Sequence, residues 1–180
     1  MSMLALRGGG GQDRPGLEGC MKLWALALVA GMALSGVARA QVNDDPTGPQ
    51  PKLRTETLSI KGDDGKVHVF TVEVAQSEQE QAYGLMFRPT VPADGGMLFP
   101  LDSPQPVQFW MKNTIVPLDM VFIRADGTIG AIAENTVPYS LRPISSNGPV
   151  TATLELQGGI TAADDISVGD KVIAKQFGGG

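Results

Sequence analysis

A mainly β domain, built as an antiparallel sandwich or partly open barrel with one or two short helices, is the fold class this sequence predicts. Three observations carry that expectation. Short runs of β-branched or alternating apolar and polar residues recur from Arg54 onward. Clusters of Gly and Pro separate them, and no strand-helix-strand rhythm appears. Seven or eight strands are expected.

Taken in order, TETLSI (55–60) and VHVFTVEVA (67–75) alternate and are joined by KGDDGK, whose Asp-Gly pair signals the turn of a hairpin. Ser77-Glu78-Gln79-Glu80 has the Ser-x-x-Glu form of a capping box, which predicts a short helix through about Leu85. Pro89, Pro92 and Gly95-Gly96 break the chain before MLFPL, a short apolar strand. VQFWMK, LDMVFIRAD and TIGAIAEN predict three more, the last two joined at Asp126-Gly127. After a polar loop, PVTATLELQGG alternates, with Val150, Ala152, Leu154 and Leu156 on one face. Thr151, Thr153, Glu155 and Gln157 fall on the other. A helical turn at 161–165 and a strand near 170–177 close the domain.

The N-terminal part reads differently. Met21-Lys22 precedes an apolar run from Leu23 to about Leu34 and then Ala38-Arg39-Ala40, the pattern of a secretory signal peptide over 21–40. Residues 1–20 are Gly-rich and expected not to be translated. Cys20 lacks the upstream apolar segment that a lipoprotein signal needs. Residues 41–53 predict a disordered linker and 54–180 a single domain, periplasmic or secreted. No later segment approaches the roughly 20 apolar residues of a membrane span.

Composition narrows the chemistry. From Gln41 onward there are 17 Asp and Glu against 10 Lys and Arg, which argues against nucleic acid and anionic lipid as partners. The one cysteine precedes that point and the one histidine is His68, so thiol nucleophiles, disulfides, hydrolase triads and zinc are poorly served, and no cofactor is expected.

Four signatures stand in order: Gly84-Leu85-Met86-Phe87-Arg88, Gly95-Gly96-Met97-Leu98-Phe99, Phe109 to Thr114 with Pro117-Leu118-Asp119, and Leu154-Glu155-Leu156. Together they resemble the DUF192 family, also called UPF0127, over about Val72 to Val172. The resemblance implies a compact β-rich fold, often exported, and no activity.

The candidate site must therefore come from the residues. In VQFWMK, alternation points Val107, Phe109 and Met111 into a core and Gln108, Trp110 and Lys112 outward, a surface suited to stacking on a ring while its neighbours bind hydroxyls or an acid. Asn113, Thr114 and Asp119 flank the next turn. Asp119, between Leu118 and Met120, is expected to be partly buried and paired with Lys112 or Arg88; Arg88 can otherwise bind a carboxylate or phosphate. Glu155 is expected to project into solvent with Thr151 and Thr153. Each residue also has a plain structural role open to it: Trp110 closing a barrel end, Lys112 solvating an edge, Asn113-Thr114 making a turn.

The leading expectation is an exported non-catalytic domain that binds a small polar ligand, a saccharide or acid, or an envelope partner through Arg88, Gln108, Trp110, Lys112, Asn113, Thr114, Asp119 and Glu155. Three alternatives stand beside it. One is a glycan-acting enzyme with Asp119 and Glu155 as its carboxylate pair. The second is a structural envelope protein. The third is a Cu(I)-binding protein using Met86, Met97, Met111 and Met120 with His68 and Trp110.

Overall fold

The computed structural model describes residues 45–178. The expected signal peptide, the residues before it and positions 41–44 of the expected linker lie outside the described residues. Among the described residues nine strands form: β1 (Thr55–Lys61), β2 (Val67–Val74), β3 (Gly95–Gln105), β4 (Gln108–Phe109), β5 (Leu118–Ile123), β6 (Ile129–Ala133), β7 (Ile144–Ser145), β8 (Val150–Gln157) and β9 (Lys171–Ile173). Two short helices accompany them, α1 (Glu78–Tyr83) and α2 (Ile160–Ala163), and a 3-10 turn spans Lys175–Phe177. Seven strands make one curled sheet in the order β6-β5-β8-β3-β2-β1-β9, and β4 pairs with β7 in a small second sheet. The fold is mostly β, a half-barrel with little helix.

Local chemistry explains the joints. Gly65 supplies the positive φ of 83° that turns β1 into β2. The Ser77 hydroxyl accepts from the Glu80 amide at 3.2 Å, and the Glu80 carboxylate accepts from the Ser77 amide at 2.8 Å, so the capping box forms as expected. The helix it starts is shorter than expected and stops at Tyr83, because Gly84 (φ 50°) turns the chain against the ring of Phe99. That helix joins β2 to β3, the one parallel pair in a sheet otherwise antiparallel.

Alternation gives the sheet two apolar faces. The first carries Leu58, Ile60, Phe70, Val72, Leu98, Val121, Ile123, Leu154 and Leu156. Ile129 of β6 and Val172 of β9 come from opposite ends of the strand order and meet in this same cluster, so it is the enclosed, concave side. A bridge between Thr128 and Lys171 and a Val172 amide donating to the Gly127 carbonyl at 2.9 Å draw those ends together. Met97, Phe99, Met120 and Phe122 form the second core on the convex side, capped by Leu85, Val91, Val107 and Met111 from the connecting segments. The residues at 45–53 are part of this fold: Gln50 is 9% exposed and its amide donates to the carbonyls of Glu80 (3.1 Å) and Gly84 (2.8 Å). A Pro-rich composition hid that anchoring, because tertiary hydrogen bonds 30 or more residues away leave no local trace.

Gly96 sits where β3 meets β8, and a Cβ there would clash with the Glu155 carbonyl oxygen, which is backbone and cannot step aside. Gly96→Ala is therefore expected to lower stability by about 1–3 kcal/mol, read as a lower urea midpoint at unchanged slope.

Candidate functional site

The stretch from Trp110 to Pro117 leaves the sheet after only two residues of β4. The Met111 amide donates to the Ser140 carbonyl at 2.9 Å, and Asn113 takes a φ of 58°. The expected alternation nonetheless holds: Val107 and Met111 are buried, whereas Gln108 and Trp110 are exposed. Trp110 is 49% exposed, and the Lys112 ammonium lies 5.9 Å from the centroid of its ring, within cation-π range. Lys112 also reaches the Asp45 carboxylate at 2.7 Å.

A second segment runs beside this loop. The Tyr139 amide donates to the Thr114 carbonyl at 3.1 Å, and Ile144 pairs with Phe109. It brings Val137, Tyr139 and Leu141, which are 69%, 63% and 64% exposed. Thr114 itself is buried and holds the two segments together. Three non-glycine residues in left-handed backbone converge here: Phe87, Asn113 and Tyr139, with φ of 59°, 58° and 60°. The Phe87 amide donates to the Asn113 carbonyl at 2.9 Å, which fastens the Arg88 segment to the same loop. Such conformations persist where surrounding contacts over-determine them.

Arg88 does not reach Asp119. Its Nη2 donates to the Glu73 carboxylate at 3.0 Å, its Nε is buried without a partner among the described residues, and both side chains border a hollow of about 480 Å³ with Lys52, Thr71 and Asp94.

Asp119 is fully buried and pairs with neither Lys112 nor Arg88, contrary to expectation. Its Oδ1 accepts from the amides of Asn135 (2.7 Å) and Gly159 (2.9 Å), and its Oδ2 from the amide (2.9 Å) and hydroxyl (2.7 Å) of Thr161. It clasps two chain segments, at Asn135 and at 159–161, onto β5, and no lone pair is left aimed at solvent.

Glu155 also departs from expectation. It is 5% exposed, no hydrogen bond or ion pair reaches its carboxyl among the described residues, and burial pushes its pKa up to about 8. Alternation placed it correctly beside Thr151 and Thr153, but that face lies under the second core; the hydroxyls of both threonines are buried and unpartnered. Asp119 is directly opposite Leu156, a concave-side residue, whereas Glu155 is opposite Met120 on the convex side. The two carboxyls face opposite sides of the sheet, which excludes them as a glycosidase pair. His68, opposite Ile60, likewise faces the concave side and is separated from Met97 and Met120.

The loop thus brings together Trp110, Lys112, Asn113 and Thr114, with Gln108 just before it and Arg88 fastened to it through Phe87; Asp119 and Glu155 do not join. Val137, Tyr139 and Leu141 are the residues that sequence reasoning missed. The signal was present: three apolar side chains between Val137 and Pro143 stand out in a loop otherwise read as polar.

Comparison with known proteins places this geometry. The model of the DUF192 family, described as an uncharacterized ACR, matches residues 59–174. A crystal structure from Sinorhizobium meliloti, of a protein described as a candidate transcription regulator, is 39% identical with a TM-score of 0.69 and covers 71% of this chain and 98% of its own. Another, of a protein of unknown function from Novosphingobium aromaticivorans, is 40% identical with a TM-score of 0.66 and covers 71% and 91%. No curated protein matches.

Proposed function

Because the chain belongs to the DUF192 family, whose domain is uncharacterised, the site must supply the function, and we propose an exported, non-catalytic domain that binds an envelope partner through its Trp110 surface. The carrying observation is the half-exposed indole on a segment whose backbone is hydrogen-bonded to the one that carries the exposed Val137, Tyr139 and Leu141. Large aromatic and aliphatic groups gathered on rigid backbone are the composition of interface anchors. Lys112 at the rim favours a partner carboxylate, which would compete with Asp45 for its ammonium. Export rests on the signal-peptide pattern at 21–40.

A nucleic-acid role, which the description of the S. meliloti protein raises, finds little support in this surface. From Gln41 onward acidic residues outnumber basic ones 17 to 10, and on this surface Lys112 already faces the Asp45 carboxylate. Among the described residues no helix is long and apolar enough to cross a membrane.

A photo-crosslinking amino acid at Trp110 or Tyr139 is expected to trap one discrete, identifiable envelope protein in producing cells, while the same probe at exposed Ile173 traps none. Trp110→Ala should then weaken binding to the purified partner by at least about 30-fold, the scale of an interface hot spot. Equal, diffuse adducts at all three positions would end this reading. A shift of the Trp110 resonance on titration with envelope saccharides would replace the protein partner by a sugar.

A further inference from the structure

Met97, Glu155 and Met120 stand in one row across three adjacent strands. Register places Met97 of β3 and Met120 of β5 directly opposite Glu155 of β8, one on each side. Directly opposed residues carry their Cβ atoms about 5 Å apart on the same face, so a methionine stands on each side of Glu155; the Met97 sulfur also lies 4.0 Å from the Gln50 amide nitrogen. All three are buried, at 0%, 5% and 0% exposure, and Met111 belongs to the same convex-side core.

From this row we infer a binding site for a soft monovalent d10 cation, Cu(I) or its analogue Ag(I), formed by the thioethers of Met97 and Met120 and the carboxylate of Glu155.

Three arguments lead there. Thioether sulfur selects Cu(I) over harder metals. Among the described residues no group of three or more His, Cys, Asp or Glu exists to hold a divalent ion. Charge also favours the monovalent ion: one cation against one carboxylate is neutral, which an apolar core tolerates, whereas a divalent ion would leave an uncompensated positive charge there. Among the described residues no hydrogen bond or ion pair reaches the Glu155 carboxyl, and such an ion would satisfy it. The exchange balances: the carboxyl releases its proton, its oxygen and the two sulfurs bind the cation, and no electron moves.

The test uses the full chain carrying Cys20→Ser, which removes its one thiol, with Ag(I) as the redox-inert probe. Stoichiometric Ag(I) is expected to shift the methyl resonances of Met97 and Met120 and leave Met86 in place. It should also release one proton per ion, so that binding weakens as pH falls and the proton competes for the carboxyl. Glu155→Gln should remove both the proton release and the pH dependence. Met97→Leu and Met120→Leu should each weaken binding and serve in its place if Glu155→Gln does not fold. Unmoved Met97 and Met120 methyls, or binding that releases no proton, would overturn the site.

Discussion

Asp119→Ala is expected to be the most damaging single substitution in the domain, lowering stability by about 4–5 kcal/mol. The carboxylate accepts four hydrogen bonds, and two of their donors belong to Thr161, which is fully buried. Truncation leaves that amide and hydroxyl without partners or water, and each such orphan costs about 1–3 kcal/mol; the Asn135 and Gly159 amides add smaller losses. A loss of this size is a large part of the roughly 5–15 kcal/mol that holds a typical domain together. Asp119→Asn should lose less but still be destabilised, because its amide keeps one acceptor oxygen and turns an NH2 group toward donors. Urea unfolding reads the size, and hydrogen exchange reads the place, with early loss of protection expected at Thr161 and Gly159. An Asp119→Asn protein as stable as the parent would mean that the charge of the carboxylate contributes nothing to the fold.

That clasp also marks the limit of what the sequence made legible. Features set by neighbours in the chain were readable: the Ser77–Glu80 capping box, the Asp64-Gly65 turn, and the outward pairing of Gln108 with Trp110 all formed. The β-rich class followed from alternation, because a period of two dictates a half-buried strand whatever its partner. Asp119 could not be read in this way, since its partners lie 16 to 42 residues away and most are backbone amides that any residue supplies. Glu155 shows the same limit on a face: period two separates it from Leu154 and Leu156 but cannot say whether water or another segment covers it. β7 is two residues long, too short for any periodicity to reveal. Its segment nonetheless carries half of the candidate surface, and Tyr139 owes its position to the Thr114 carbonyl rather than to its neighbours.

Glu155→Leu is expected to stabilise the metal-free protein at neutral pH, by about 3 kcal/mol at pH 7 before any repacking loss. In the fold the carboxyl holds its proton to about pH 8, and in the unfolded chain it releases it near the ordinary value of 4.5. Between those values the unfolded state binds fewer protons, so stability falls as pH rises. The contribution is complete below about pH 4.5, declines through the interval, and is gone above about pH 8, where the slope from this group vanishes. Each pH unit in the window removes about 1.4 kcal/mol. The parent should thus lose stability steadily from pH 5 to 8, and Glu155→Leu or Glu155→Gln should flatten that decline; Gln should gain less, because its amide is buried without partners. Unfolding curves at half-unit pH steps measure the slope directly. A parent whose stability is level across this range would show that the carboxyl is ionised and solvated in the fold, and would remove the reason to expect any gain from replacing it. If the decline is seen, adding Ag(I) should cancel it, since a cation that displaces the proton leaves nothing to titrate; the same buried group then accounts both for the alkaline weakness of the free protein and for its affinity for a soft metal.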